Sequence, residues 1–109
     1  MATFFRNTVA KDIGTIAREV IETADNARVT VIGMSLANTT EFVVFADVAL
    51  QNDTSTEAYY AKNIIIPPNS SARIVNGGEK LILTSSNVLK VRASEENSID
   101  AVISYVEIV

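Results

Sequence analysis

Alternation of apolar and polar positions is clearest in the second half of the chain. Leu89, Val91 and Ala93 alternate with Lys90, Arg92 and Ser94, and a period of two marks a strand with one buried and one wet face. Glu79–Leu83 before it and Ile99–Ile108 after it read as further strands. Thr84-Ser85-Ser86-Asn87 and Glu95-Glu96-Asn97-Ser98 part them, polar clusters that favour turns. Asn76-Gly77-Gly78 reads as a hairpin turn, because Asn-Gly supplies the positive φ that such a turn needs. Upstream, Arg28–Leu36, Phe42–Leu50 and Ala58–Ile66 are rich in β-branched and aromatic residues. Ala37-Asn38-Thr39-Thr40 and the polar loop Gln51–Thr56 break them. The run Ile64-Ile65-Ile66 stops at Pro67-Pro68. Proline cannot donate to a sheet ladder, so the strand ends there and Pro68-Asn69-Ser70 turns into Ala72–Val75.

Strands therefore recur about every ten residues, the spacing of a sandwich or barrel. The expected fold is all-β: an antiparallel two-sheet β-sandwich, jelly-roll or Ig-like, with seven strands or eight counting Thr3–Val9. The 109 residues are expected to form a single domain, with 1–27 as an N-terminal arm or first strands. Ile13–Ala24 admits two readings. Ile16, Val20, Ile21 and Ala24 fit a helical stripe, whereas Glu19–Thr23 fits a strand followed by the turn Ala24-Asp25-Asn26. The all-β surroundings favour the strand.

Two strands look apolar on both faces. In Ile99–Ile108, Ile99, Ala101, Ile103 and Tyr105 share one face, and Val102, Val106 and Ile108 share the other with Asp100 and Ser104. In Phe42–Leu50, Phe42, Val44, Ala46, Val48 and Leu50 oppose Val43, Phe45 and Ala49. Ile65 likewise opposes Ile64 and Ile66. An isolated sandwich carries polar residues on its outer faces. Burying one more Val or Ile is worth about 1.5–3 kcal/mol, so a homo-oligomer or a docked assembly component is expected.

Composition narrows the chemistry. The net charge is −4 with nine scattered Lys and Arg, which gives no basic stripe for phosphates, and nucleic acid is not expected as a partner. The chain has no Cys and no His, so it lacks thiolate ligands, thiol nucleophiles and the usual base near neutral pH. No apolar run is long enough for a membrane helix, and the first residues do not resemble a signal peptide. The chain is expected to be made in the cytoplasm, without contact with a membrane.

No motif for catalysis, metal or cofactor emerges, and none of the three is expected. Asp12, Asp25, Asp47, Asp53 and Asp100 are spread along the chain with no spacing that pairs two across a glycosidic bond. Asp47 and Asp100 lie within strands. There each must face water, bond to a turn or meet a neighbour, because a lone buried carboxylate is costly. Gln51–Glu57 offers oxygens but lacks the EF-hand pattern. Gly77-Gly78 is no phosphate loop, and no G-x-S-x-G elbow occurs. The sequons at Asn38, Asn52 and Asn69 read as turns. Tyr59-Tyr60 puts one ring on each face of a strand, so one of them is exposed or at an interface. Pro67-Pro68 is no P-x-x-P ligand.

"IGMSLANTT", "IPPNSS", "GGEKLIL" and the terminal "SIDAVISYVEI" resemble small all-β structural proteins of tailed-phage virions, above all those of T4-like phages of cyanobacteria. The resemblance covers Val29–Val109, and its markers are turn and core residues. It implies a non-enzymatic virion component at the neck, tail or fibre attachment, assembling with itself and other virion proteins. Capsid decoration and a carbohydrate-binding host-recognition module are the alternatives. The few aromatics, three Tyr, four Phe and no Trp, suit the last poorly.

Overall fold

The alternating segments all form strands in the computed structural model, which describes residues 1–76 and 78–109. In chain order they are β1 (Thr3–Ile13), β2 (Arg18–Glu22), β3 (Arg28–Asn38), β4 (Val44–Gln51), β5 (Glu57–Ile66), β6 (Ser71–Val75), β7 (Leu81–Leu83), β8 (Val88–Ala93) and β9 (Ile99–Ile108). Among the described residues the count is nine rather than seven or eight, because both N-terminal segments join the sheets. The helical alternative for residues 13–24 is not realised. Ile21 instead sits opposite Leu89 of β8 and is buried. Ladder bonds to β8 outweigh a local helical stripe that has no helix to pack against. Phe42 and Val43 were expected in a strand but lie in the loop before β4, exposed. Gly77, the centre of the expected Asn-Gly turn, lies outside the described residues. On either side of it, the Gly78 N–H donates to Asn76 Oδ1 and the Glu79 N–H to the Asn76 carbonyl.

All neighbouring strands are antiparallel. The first sheet runs β1-β9-β3, and the far edge of β3 is shared by β6 and β7. The second runs β2-β8-β4-β5. Apart from the β4–β5 hairpin and the β6–β7 step along β3, every connection crosses from one sheet to the other. This is the double Greek key of a jelly roll, with one edge strand split in two. It excludes the Ig-like alternative, whose seven strands divide between the sheets in a different order.

The core lies between the sheets. Val29, Val31, Met34, Leu36, Ile99, Ala101 and Ile103 from the first meet Val44, Ala46, Val48, Ile66, Leu89 and Val91 from the second. The Pro67-Pro68 break is held from the opposite side of the sandwich end. Asn38 is buried, and its Nδ2 donates to the carbonyls of Phe42, Ile66 and Pro67 at 2.7, 3.0 and 3.2 Å. Its Oδ1 accepts from the N–H and hydroxyl of Thr40. One amide thus satisfies the orphan backbone groups of two loops, which must be paired wherever they are buried. Asn69 turns the chain with φ 50°.

Candidate interaction surfaces

The outer face of the first sheet follows from its registers. Phe5 pairs with Val106, Val106 with Thr30, and Thr30 with Ile82, which makes one row across β1, β9, β3 and β7. A parallel row runs Val9, Val102, Ser35, Arg73. Ile32 stands beside them at the irregularity between Val31 and Gly33. Phe5 is 82% exposed, Val9 68%, Ile82 62% and Val102 49%. Val106 and Ile108 are half-buried. The double apolar pattern read in Ile99–Ile108 is therefore real. One face enters the core, and the other joins apolar residues of β1, β3 and β7 that no local argument would group.

The outer face of the second sheet is built differently. Asp47 of β4 is buried between Arg92 of β8 and Lys62 of β5, at 2.9 and 4.0 Å. Its Oδ1 accepts the N–H of Asn63 at 2.8 Å. Asn63 has φ 52° and belongs to a bulge in β5, between the Ala46–Ile64 and Val48–Ala61 pairs. The carboxylate thus occupies the place that the bulge opens opposite it. Burial alone would push its pKa up. The Asn63 N–H, the Arg92 guanidinium and the Lys62 ammonium outweigh that and hold it below its ordinary value. Beside it, Lys90 meets Glu57 at 2.9 Å and Gln51 at 2.8 Å. Asp47, Glu57, Lys90, Arg92 and Tyr59 line a shallow cleft with Ala17 and Ala49. β4 is therefore not apolar on both faces as its sequence suggests. Its outer side carries a charge network, beside which Phe45 and Ile65, paired at one end, and the Tyr59 ring remain exposed.

The remaining candidates fall in turns. Both Tyr59 and Tyr60 are exposed, although they leave opposite sides of β5. Lys62 Nζ lies 4.2 Å from the Tyr59 ring centroid. The Tyr60 hydroxyl donates to Glu79, and burial together with that carboxylate raises its pKa. The two rings make no common platform. In the 51–57 loop, Asn52 Oδ1 accepts from Thr54 N–H, Thr54 hydroxyl and Thr56 N–H, so it is committed to the turn itself. Asp25 accepts from Ser86, and Asp100 accepts the N–H of Asp12, which has φ 58° at the β1 bulge. Asp53 is exposed at the loop tip. Asn38 is too buried for its amide to serve as a sequon in the folded chain. Glu96 escaped the sequence reading. It accepts the N–H and hydroxyl of Thr15, which hold its carboxyl below the ordinary value, and a Cβ on Gly14 would lie 2.8 Å from it. No local pattern links residues so far apart in sequence. Among the described residues no three His, Cys, Asp or Glu are grouped to hold a metal, and no helix is long and apolar enough to cross a membrane.

No family model and no curated protein matches the chain in sequence. Solved structures do match its fold. A subunit of the disulfide-linked pili of Bacillus endospore appendages superposes with a TM-score of 0.57 at 8% identity, over 96% of this chain and 86% of the other. A chain of the acid-stable capsid of Helicobacter pylori bacteriophage KHP30 gives 0.52 at 11% identity, over 100% and 89%. A chain of the T13 IBDV viral particle gives 0.55 at 10% identity, over 96% of this chain but 30% of its own length. At such identities the likeness is one of fold. The fold is one that capsid and pilus proteins use.

Proposed function

We propose that the chain is a non-enzymatic structural subunit of a tailed-phage particle, made in the host cytoplasm and built into the virion beside copies of itself and other virion proteins. The observation that carries this reading is the apolar outer face of the first sheet. Phe5, Val9, Ile82 and Val102 stay exposed there, whereas the outer face of the opposite sheet carries the ion pairs Arg92–Asp47 and Lys90–Glu57. Exposed apolar surface of this kind marks contact with a partner. The likeness to pilus and capsid subunits and the resemblance to phage virion proteins lend support from outside the molecule.

The neck, tail or fibre attachment is the position that the resemblance implies. Capsid decoration has its own support, because a whole chain of about this length in a phage capsid has the same fold. Copy number separates the two positions. Hundreds of copies per particle, by quantitative mass spectrometry of purified virions, would place the chain on the capsid. Six or twelve would place it at the neck or tail. Absence from purified virions would refute the proposal, and so would a monomer at micromolar concentration by light scattering.

A further inference from the structure

A β-sandwich has four strand edges, and an edge left unguarded is a template for another strand. Three of the four are guarded here. β2 has five residues, carries Arg18, Glu19 and Glu22, and is irregular between Glu19 and Ile21. β5 is bulged around Asn63 and ends at Ile66, before Pro67. The last edge is divided between β6, with five residues, and β7, with three. β1 is guarded only at its far end, where Lys11 and Asp12 lie at the irregularity between Ala10 and Ile13. Thr3–Ala10 pairs with β9 without interruption, contains no proline and carries one charge, Arg6. Its only irregularity comes after Ala10.

The orientation of its free groups follows from one end of the strand. Ala2 and Val109 exchange both backbone hydrogen bonds. Hydrogen-bonded pairs alternate along an antiparallel ladder, so Phe4, Arg6, Thr8 and Ala10 spend their backbone groups on β9. Thr3, Phe5, Asn7 and Val9 turn theirs outward. Among the described residues no backbone bond from another element reaches them. The side chains of Phe5 and Val9 are exposed on the same strand.

We infer that this edge pairs with β1 of a second copy, antiparallel about a two-fold axis at Asn7, and so joins two first sheets into one. The sequence of β1 is self-complementary in that register. Phe5 lies opposite Val9 of the other copy, twice over, Asn7 meets its own counterpart, and Arg6 faces Thr8. Moving the axis one residue pair, to Arg6, would set Arg6 against Arg6, and like charges directly opposite are destabilising. The inference takes from the proposed function only that the chain assembles with itself. It uses a strand edge, where that reading uses a sheet face.

The test is light scattering on the full chain at micromolar concentration, with three kinds of variant. Asn7→Pro removes an outward N–H and leaves the β9 ladder intact, so it should halve the assembly mass with the far-UV circular dichroism unchanged. The chain has no cysteine, so Asn7→Cys and Phe5→Cys each carry a single thiol. A short bis-maleimide should link Asn7→Cys into dimers and leave Phe5→Cys unlinked, because the register keeps the two Phe5 positions apart. This pair decides the matter if Asn7→Pro fails to fold. Wild-type mass in folded Asn7→Pro, equal linking of both thiols, or a monomeric wild type would overturn the edge. If Val102→Lys on the sheet face lowers the mass while the edge variants do not, the face reading stands and the edge inference falls. If only the edge variants lower it, the edge stands and the face reading fails.

Discussion

The two outer faces of this sandwich solve the same problem in opposite ways. On the second sheet, the strand β4 places Asp47 on its outward side, then surrounds it with Arg92, Lys62 and the Asn63 N–H. On the first sheet, β9 places Val102 and Val106 at corresponding outward positions, and their cross-strand neighbours are Val9, Ser35, Phe5 and Thr30. The first arrangement is complete within one chain. The second leaves Phe5, Val9 and Val102 exposed to water within one chain. A sequence with alternation on one side and a second apolar set on the other can therefore mean two different things, and the neighbouring strands decide which.

Asp47→Ala is expected to have the largest effect on stability. It strands a bulge N–H and two cations and should cost about 2–3 kcal/mol in chemical denaturation, less than a fully buried pair because Arg92 and Lys62 reach water. Assembly mass should not change. Loss of assembly in a folded Asp47→Ala protein would show that the two faces are not independent. Val102→Lys should do the reverse. It should weaken association by about 2 kcal/mol, judged from the burial of one Val, and shift the unfolding free energy by less than about 0.5 kcal/mol, as exposed sites do.

Acid should act through the second face. The folded-state pKa of Asp47 is depressed, so its contribution is present above the unfolded carboxylate value of about 3.9 and lost as pH falls through the lower folded value. The denaturation midpoint should therefore drop more steeply with acid in the wild type than in Asp47→Asn. Equal slopes would remove Asp47 from the account. The smallest effect is expected at Tyr59→Ala. The ring is more than half exposed, so stability should move by less than about 0.5 kcal/mol. A glycan array that showed specific binding abolished by this change would favour the host-recognition alternative over a purely structural surface.

Much of the fold is legible residue by residue. Leu89, Val91 and Ala93 alternate with polar neighbours, and all three are buried. Pro67-Pro68 ends β5 at Ile66 as a missing donor requires. The ambiguous places share a cause. Val20-Ile21 fits either period over so short a span, and its pairing with β8 decides for the strand. β1 is an edge strand that buries little, so its sequence shows no regular inward face. Phe42 and Val43 extend an apolar run past the true start of β4, because hydrophobicity does not mark a boundary when no proline or glycine does. The Asp47 network was illegible, since Arg92 lies 45 residues away and no local pattern pairs them.

What the sequence determined by itself is therefore the local geometry: strands of period two, their turns, and a β-rich chain without Cys or His. Each of these follows from backbone sterics and side-chain alternation within a few residues. Only the tertiary structure decided the jelly-roll order, the charge network behind Asp47, the apolar face shared by β1, β9, β3 and β7, and the open edge of β1. Those depend on which distant strands lie side by side. A strand carries its two faces in its own residues but takes its neighbours from the rest of the chain.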